Sequence, residues 1–168
     1  MKIEMRKKFI LVLVLPLLIL CGCRKEVAPE NLKVPRLYLE GRTMNYGAIT
    51  PARMVMPKSG TLIEVMKEPL VNEFEIVNAE MVKVELGMAL LLQLSDRAAR
   101  NLYRASVVNT GNRVVVTING NPVGFRRLDG AIIDGNFYSF VEMNDTALAE
   151  LVIDLKESLA YLQTQSER

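Results

Sequence analysis

The sequence predicts an α+β domain, a mixed and mainly antiparallel sheet with two helices packed on it. Three observations carry that expectation. Residues 113–118 (Arg113, then Val114, Val115, Val116, Thr117, Ile118) and residues 122–128 read as strands joined by Asn119-Gly120, the positive-φ pair that a two-residue hairpin loop demands. Two stretches repeat apolar residues at helical spacing: Ala98, Leu102 and Ala105 in one, and Leu148, Leu151, Val152, Leu155, Leu159 and Leu162 in the other. The remaining apolar runs are short, alternate with polar residues, and end at proline or glycine.

The chain opens on a segment of a different kind. Residues 1–8 carry Lys2, Arg6, Lys7 and Lys8 against Glu4, and residues 9–20 are almost wholly aliphatic, broken by Pro16. This is the charged, then greasy, then small-residue order of a secretory signal peptide. The apolar run is shorter than the ~20 residues of a membrane-spanning helix before Arg24, Lys25 and Glu26 intervene. Leu20-Cys21-Gly22-Cys23 resembles the lipobox of bacterial lipoproteins. Leu20 and Gly22 fit the pattern for Cys23, whereas Cys21 would follow the bulky Leu20. The resemblance implies cleavage after Gly22 and acyl chains of the palmitate type on Cys23, an anchor that holds a protein on a bilayer far better than one chain does. A cleaved leader followed by a Cys21–Cys23 disulfide, or a short uncleaved anchor, is the alternative. By analogy with lipoprotein sorting in certain diderm bacteria, Arg24 rather than Asp after the cysteine favours the outer membrane over the cell membrane.

The expected organisation is therefore a signal peptide over 1–22, a lipidated cysteine and tether over 23–34, N-terminal strands of the globular domain over 35–75, and an α+β region over 76–168. The formal net charge of +2 resides in the leader, and the rest of the chain is close to neutral. Such a balance gives no reason to expect nucleic acid. Histidine is absent, which removes the usual general base of catalytic triads and the commonest metal ligand. No cysteine follows Cys23, so a hydrophobic core must hold the domain together.

Along the domain, residues 36–40 alternate Leu37 and Leu39 with Tyr38 and Glu40, as a half-buried strand does. Pro57-Lys58-Ser59-Gly60 has proline early and glycine late, the order of a tight turn between the extended runs ending at Met56 and starting at Thr61. Pro69 then ends pairing near Glu68. Residues 76–86 form the longest strand candidate, with Val82, Val84 and Leu86 on the buried face and Lys83 and Glu85 on the wet one. Gly87 marks a turn or kink. Residues 88–94 are nearly continuous aliphatic, which suits a strand covered on both faces, with a helix as the competing reading.

Ser95 offers an N-cap hydroxyl and Asp96 an acid in the first turn of a helix running to about Val107. Asn109-Thr110-Gly111-Asn112 closes it. Asp129-Gly130 and Asp134-Gly135 flank a short apolar piece. Residues 137–143 then form a strand apolar on both faces: Phe137, Ser139 and Val141 on one, Tyr138, Phe140 and Glu142 on the other. Asn144 or Asp145 caps the last helix, and the polar tail after Gln163 is expected to fray.

The order strand, strand, helix, hairpin, strand, helix over 76–162 resembles the first periplasmic head subdomain of SecD/SecDF preprotein translocase components. The residues that carry the likeness are Val84-Glu85-Leu86 with Leu90-Leu91-Leu92-Gln93-Leu94-Ser95, then Ala98-Ala99 and Leu102, then Thr110-Gly111-Asn112-Arg113 before the following strand. Asn119-Gly120-Asn121-Pro122-Val123 and Asp134-Gly135-Asn136 with Phe140 extend it. Phe125-Arg126 stand where the family often has Ala-Pro after the hairpin, and the family's transmembrane helices are missing from the resemblance. It implies a SecD-periplasmic-head-like fold and a habit of touching polypeptide outside the membrane.

Candidate chemistry is sparse. Arg97, Arg100 and Arg104 recur at i, i+3, i+7 and share a helix face fit for a carboxylate, a phosphate or an acidic protein surface; a solvated face is the plainer reading. With Phe125 and Arg126 they are the expected partner-binding residues. Asp129, Asp134 and Glu142 are conceivable paired carboxylates, but Asp-Gly is first of all turn chemistry. Lys58 and Ser59 sit in a turn without a nucleophile elbow. Met44, Met54 and Met56 are core filler unless they prove exposed. The sequence thus leads us to expect a lipid-anchored, extracytoplasmic, non-catalytic protein-interaction or accessory module of the cell envelope, related to protein export, with no cofactor and no metal. Its partners would be the membrane, through the anchor, and an envelope protein. A carboxylate-dependent enzyme acting on cell-wall material and a structural envelope scaffold are the alternatives.

Overall fold

The computed structural model describes residues 31–41 and 51–166, so the leader, Cys23 and most of the tether lie outside the described residues, as does Met44. Among the described residues eight strands and two helices follow one another: β1 (Pro35–Leu39), β2 (Ala52–Val55), β3 (Leu62–Val65), β4 (Ile76–Val84), β5 (Gly87–Leu94), α1 (Asp96–Val108), β6 (Arg113–Ile118), β7 (Asn121–Arg127), β8 (Asn136–Val141) and α2 (Asp145–Ser166). A 3-10 turn, Glu73–Glu75, precedes β4. Six strands make one antiparallel sheet in the order β1-β6-β7-β8-β5-β4, and β2 and β3 form a separate hairpin. The expected α+β class, with two helices on a mainly antiparallel sheet, is what the chain adopts.

Residue alternation sorts the sheet into two faces. Leu37, Leu39, Ala79, Leu90, Leu92, Val114, Val116 and Phe137 point to the side where α2 lays down Leu148, Val152, Leu155 and Leu159 and α1 lays down Ala98 and Leu102; together they form the main core. At ~1.5–3 kcal/mol for each fully buried Leu, Val or Phe, this layer is the principal source of stability. The opposite face is covered over β1, β6 and β7 by the β2–β3 hairpin, whose Met56, Ile63 and Val65 pack on Val115. Met56 is buried and Met54 packs against the same cluster, so these two methionines fill a core.

Local chemistry explains the connections. Asn119 and Gly120 have φ of 52° and 80°, the left-handed pair that closes β6 on β7. The Ser95 hydroxyl accepts the Ala98 amide and starts α1. Asn144, not Asp145, caps α2: its side chain accepts the Ala147 amide at 2.8 Å, and Asp145 falls in the first turn, where its charge suits the helix dipole. Residues 88–94 form strand β5 rather than a helix, held between β4 and β8.

Two expectations need correction. Val82 and Val84 lie only half-buried and Leu86 is 85 % exposed. The helix-covered face of β4 carries Ala79 and Met81 instead, because the pairs Ala79↔Leu92 and Met81↔Leu90 place them opposite the core leucines. Leu86 sits in the two-residue turn between Val84 and Gly87, where no layer covers it. The second concerns the C-terminus. Helix α2 continues to Ser166, and the Gln163 side chain donates to the Val77 carbonyl at 2.9 Å, tying that last turn to the edge of the sheet.

Candidate functional site: an open groove on the uncovered sheet face

The hairpin covers only half of its face of the sheet. One row of side chains crosses that face strand by strand, Tyr38, Val115, Phe125 and Phe140, each paired with the next. Tyr38, Val115 and Phe125 lie in the hairpin's cluster, and Phe140 beyond them is 45 % exposed. Past that boundary a groove of about 390 Å³ opens, floored by Val84, Ala89, Phe125, Tyr138 and Phe140 and rimmed by Arg126, Arg127 and Asp129.

The groove exists because the sheet forks. The β7–β8 ladder consists of two residue pairs, Gly124↔Val141 and Phe125↔Phe140. Beyond them β7 follows β6: the Leu128 amide donates to the Asn112 carbonyl, and the Gly111 amide to the Leu128 carbonyl. Strand β8 follows β5 through Tyr138↔Leu91 and Phe137↔Leu92. Burial of Leu128 in the main core fixes the divergence.

The outer strands differ in what their free edges meet. The outer edge of β1 is occupied, since amides and carbonyls of residues 37–41 exchange bonds with those of residues 64–71. Strand β4, at the other end of the sheet, pairs with β5 and has no strand on its outer edge among the described residues, where the Gln163 side chain takes the Val77 carbonyl. Glu80 and Lys83 punctuate it and a register shift between Ile76 and Asn78 bends it, features that natural edges use against uncontrolled pairing.

Electrostatic ties brace the frame around the groove. The Arg113 guanidinium donates to Glu40 at 2.5 Å and lies 5.8 Å from the Phe125 ring centroid, fixing that ring in the groove wall. Arg36 and Glu73 pair through two bonds of 2.6 and 2.8 Å, and the guanidinium holds the Glu73 carboxyl below the usual carboxylate range. Glu142 accepts the Lys58 and Ser59 amides at 2.7 and 3.0 Å and clips the hairpin turn to the end of β8. The Ser59 hydroxyl first, and then these amides, hold its carboxyl low.

The structure scatters the residues singled out from the sequence. Arg97 bonds Glu75 at 2.8 Å, while Arg100 and Arg104 project from the exposed face of α1, remote in sequence and element from the groove. Phe125 and Arg126 both line the groove, although they alternate to opposite faces of β7. The three candidate carboxylates do not converge: Asp129 faces Arg127 at 3.7 Å, Asp134 accepts the Asn136 amide within its own turn, and Glu142 serves the hairpin. The Ser59 and Thr61 hydroxyls lie 2.9 Å apart and the Thr61 amide donates to Ser59 Oγ, so turn geometry accounts for Ser59. Among the described residues, no three acidic or thiol side chains gather as metal ligands.

Sequence reasoning did not assign Tyr138, Phe140, Val84 and Ala89 to a site. The signal was present in β8, which is apolar on both faces although only one of them meets the helices.

No family model matches the chain, and no curated protein matches its sequence. Solved structures do. SecDF in a super-membrane-facing form superposes with a TM-score of 0.53 at 13% identity, over 76% of this chain and 18% of that one. A membrane component SecDF that enhances protein export gives the same score and identity over 76% of this chain and 62% of its own. The fold is that of the SecDF periplasmic head. A translocon-associated SecDF from a Thermus species aligns over 92% of this chain and 34% of that one, with a TM-score of 0.43 at 13% identity. The chain thus spans less than two thirds of each SecDF structure. Among the described residues no helix is long and apolar enough to cross a membrane.

Proposed function

We propose that this SecDF-head-like chain is a lipid-anchored, extracytoplasmic accessory protein that binds extended polypeptide without catalysing a reaction, in the service of protein export. The observation that carries the reading is the groove at the β7–β8 fork. Its floor of Phe125, Tyr138, Phe140, Val84 and Ala89 takes apolar side chains, and Arg126, Arg127 and Asp129 at its rim take polar ones. Beyond β5 lies β4, whose outer edge past Val77 suits an added strand. Cys23 carries the anchor in this reading, and the tether over 23–34 sets the domain beside the bilayer. The SecDF neighbour described as a membrane component that enhances protein export lends the export link its support.

A shallow, open groove with one carboxylate at its rim favours binding over hydrolysis, which needs converging acid and base. The test is a fluorescence-anisotropy titration of the full-length protein with a reduced, carboxymethylated polypeptide and with its folded counterpart. Saturable binding of the unfolded form alone, lost in Phe140→Asp, is expected. Equal binding of both forms, or binding unchanged by that substitution, overturns the reading.

A further inference from the structure

Helix α1 presents a second surface that the groove does not use. Arg100, Tyr103, Arg104, Val107 and Val108 stand at i, i+3, i+4, i+7 and i+8, so they share one face, and all five are exposed. Val108 is 80 % exposed. The loop before β8 widens this face. The Ile132 amide donates to the Ser106 hydroxyl at 3.0 Å, and a Cβ on Gly135 would lie 3.0 Å from that of Ala99. Ile133, between those two fixed points and likewise 80 % exposed, therefore lies alongside α1.

The charge that the helix contributes to this face is of one sign. No acidic residue follows Asp96 in α1, and neither Arg100 nor Arg104 meets an acidic partner among the described residues. Asp134, in the adjoining loop, is exposed and accepts both the Asn136 amide and the Asn136 side-chain NH2 within its own turn. The outer face of α2 is mainly acidic, with Glu150, Asp154 and Glu157 exposed beside Lys156. Guanidinium groups that bond phosphate, a tyrosine, and bare aliphatic side chains between them match the headgroup region of a bilayer in composition.

We infer that the Arg100, Tyr103, Arg104, Val107, Val108 and Ile133 surface lies on anionic phospholipid and orients the domain at the membrane. This rests on the anchored reading, because two arginines and a few aliphatic side chains bind lipid only weakly unless an acyl chain keeps them close. The reach is sufficient. The chain from Cys23 to Asn31, where the described structure begins, spans at most about 28 Å at ~3.5 Å per residue, against about 20 Å for the length of β6. The tether enters beside Asn119 at one end of β6, and α1 ends near Arg113 at the other, so the anchor can reach a membrane touched by the C-terminal end of α1.

The chain contains no tryptophan, so a single indole reports its own surroundings. Full-length Val108→Trp, with Val107→Trp as a second placement and Ile153→Trp on the acidic face of α2 as the contrast, is reconstituted in vesicles of equal parts phosphatidylglycerol and phosphatidylcholine. Blue-shifted emission, quenched by brominated lipid, is expected from the α1 variants and not from Ile153→Trp. Adding Arg100→Gln and Arg104→Gln is expected to weaken this lipid contact about thirtyfold. Vesicle-bound protein whose α1 indoles emit as in water overturns the lipid-facing surface while the anchor stands. Protein that stays off the vesicles, with Cys23 unmodified by mass spectrometry, overturns the anchored reading and this inference with it. Shielding of the α1 indoles in intact cells but not in protein-free vesicles assigns the face to an acidic protein and overturns the lipid assignment.

Discussion

Gly124 in β7 is pressed so closely on the Phe140 backbone that any Cβ would overlap the Phe140 carbonyl oxygen and stand 3.0 Å from the Val141 Cα. Only glycine lets β7 and β8 meet at the two residue pairs that precede the fork. Gly124→Ala is expected to cost about 1–3 kcal/mol, as other overpacked sites do, and to loosen the groove floor. Urea denaturation and amide exchange at residues 124–125 and 140–141 check this. A variant as stable as the parent, with those amides equally protected, would contradict it.

Stability should fall as solutions are acidified. Glu73 and Glu142 bind protons less readily in the folded chain than at the ordinary carboxylate pKa of ~4.3. The unfolded chain therefore takes up these protons first. Their contribution is complete above that ordinary value and disappears as pH drops through the lower folded values. The urea midpoint is expected to decline below about pH 5. Glu142→Gln should make that decline shallower and leave the slope unaltered at neutral pH.

Burial predicts opposite tolerances at two apolar positions. Phe137 is fully buried in the main core, so Phe137→Ala should cost about 3–5 kcal/mol. Leu86 stands clear of every layer, and Leu86→Ala should stay within about 0.5 kcal/mol of the parent. Equilibrium unfolding of both variants provides the check. A large loss at Leu86 would show that its side chain is covered after all.

Ser106 joins α1 to the loop before β8, donating to the Tyr103 carbonyl at 2.8 Å and accepting from the Ile132 amide. Ser106→Ala leaves a buried amide without its acceptor, at a cost of about 1–3 kcal/mol. Hydrogen exchange at Ile132 should accelerate more than exchange in β6. Uniform acceleration would point to global destabilisation instead.

Much of the fold was legible because it is encoded locally. Asn119-Gly120 specified a hairpin through backbone conformation, Ser95 specified a helix start through one hydroxyl, and the Leu148 to Leu162 stripe specified a buried helix through its period. These signals act over a few residues and need no knowledge of neighbours. The Val82, Val84 and Leu86 face was misread for the complementary reason. Alternation reveals that a strand has two faces, and only its pairing with β5 decides which of them meets the helices.

By itself the sequence determined the α+β class, the helix and turn positions, a neutral histidine-free domain, and the shared face of Arg100 and Arg104. Tertiary structure alone decided that the hairpin covers half a sheet face, that Leu128 draws β7 away from β8, and that Arg97 is taken up by Glu75 while Arg100 and Arg104 stay free of acidic partners among the described residues. The physical reason is range. Backbone conformation and side-chain period are properties of adjacent residues, whereas a groove is the space left where two separately anchored strands stop pairing.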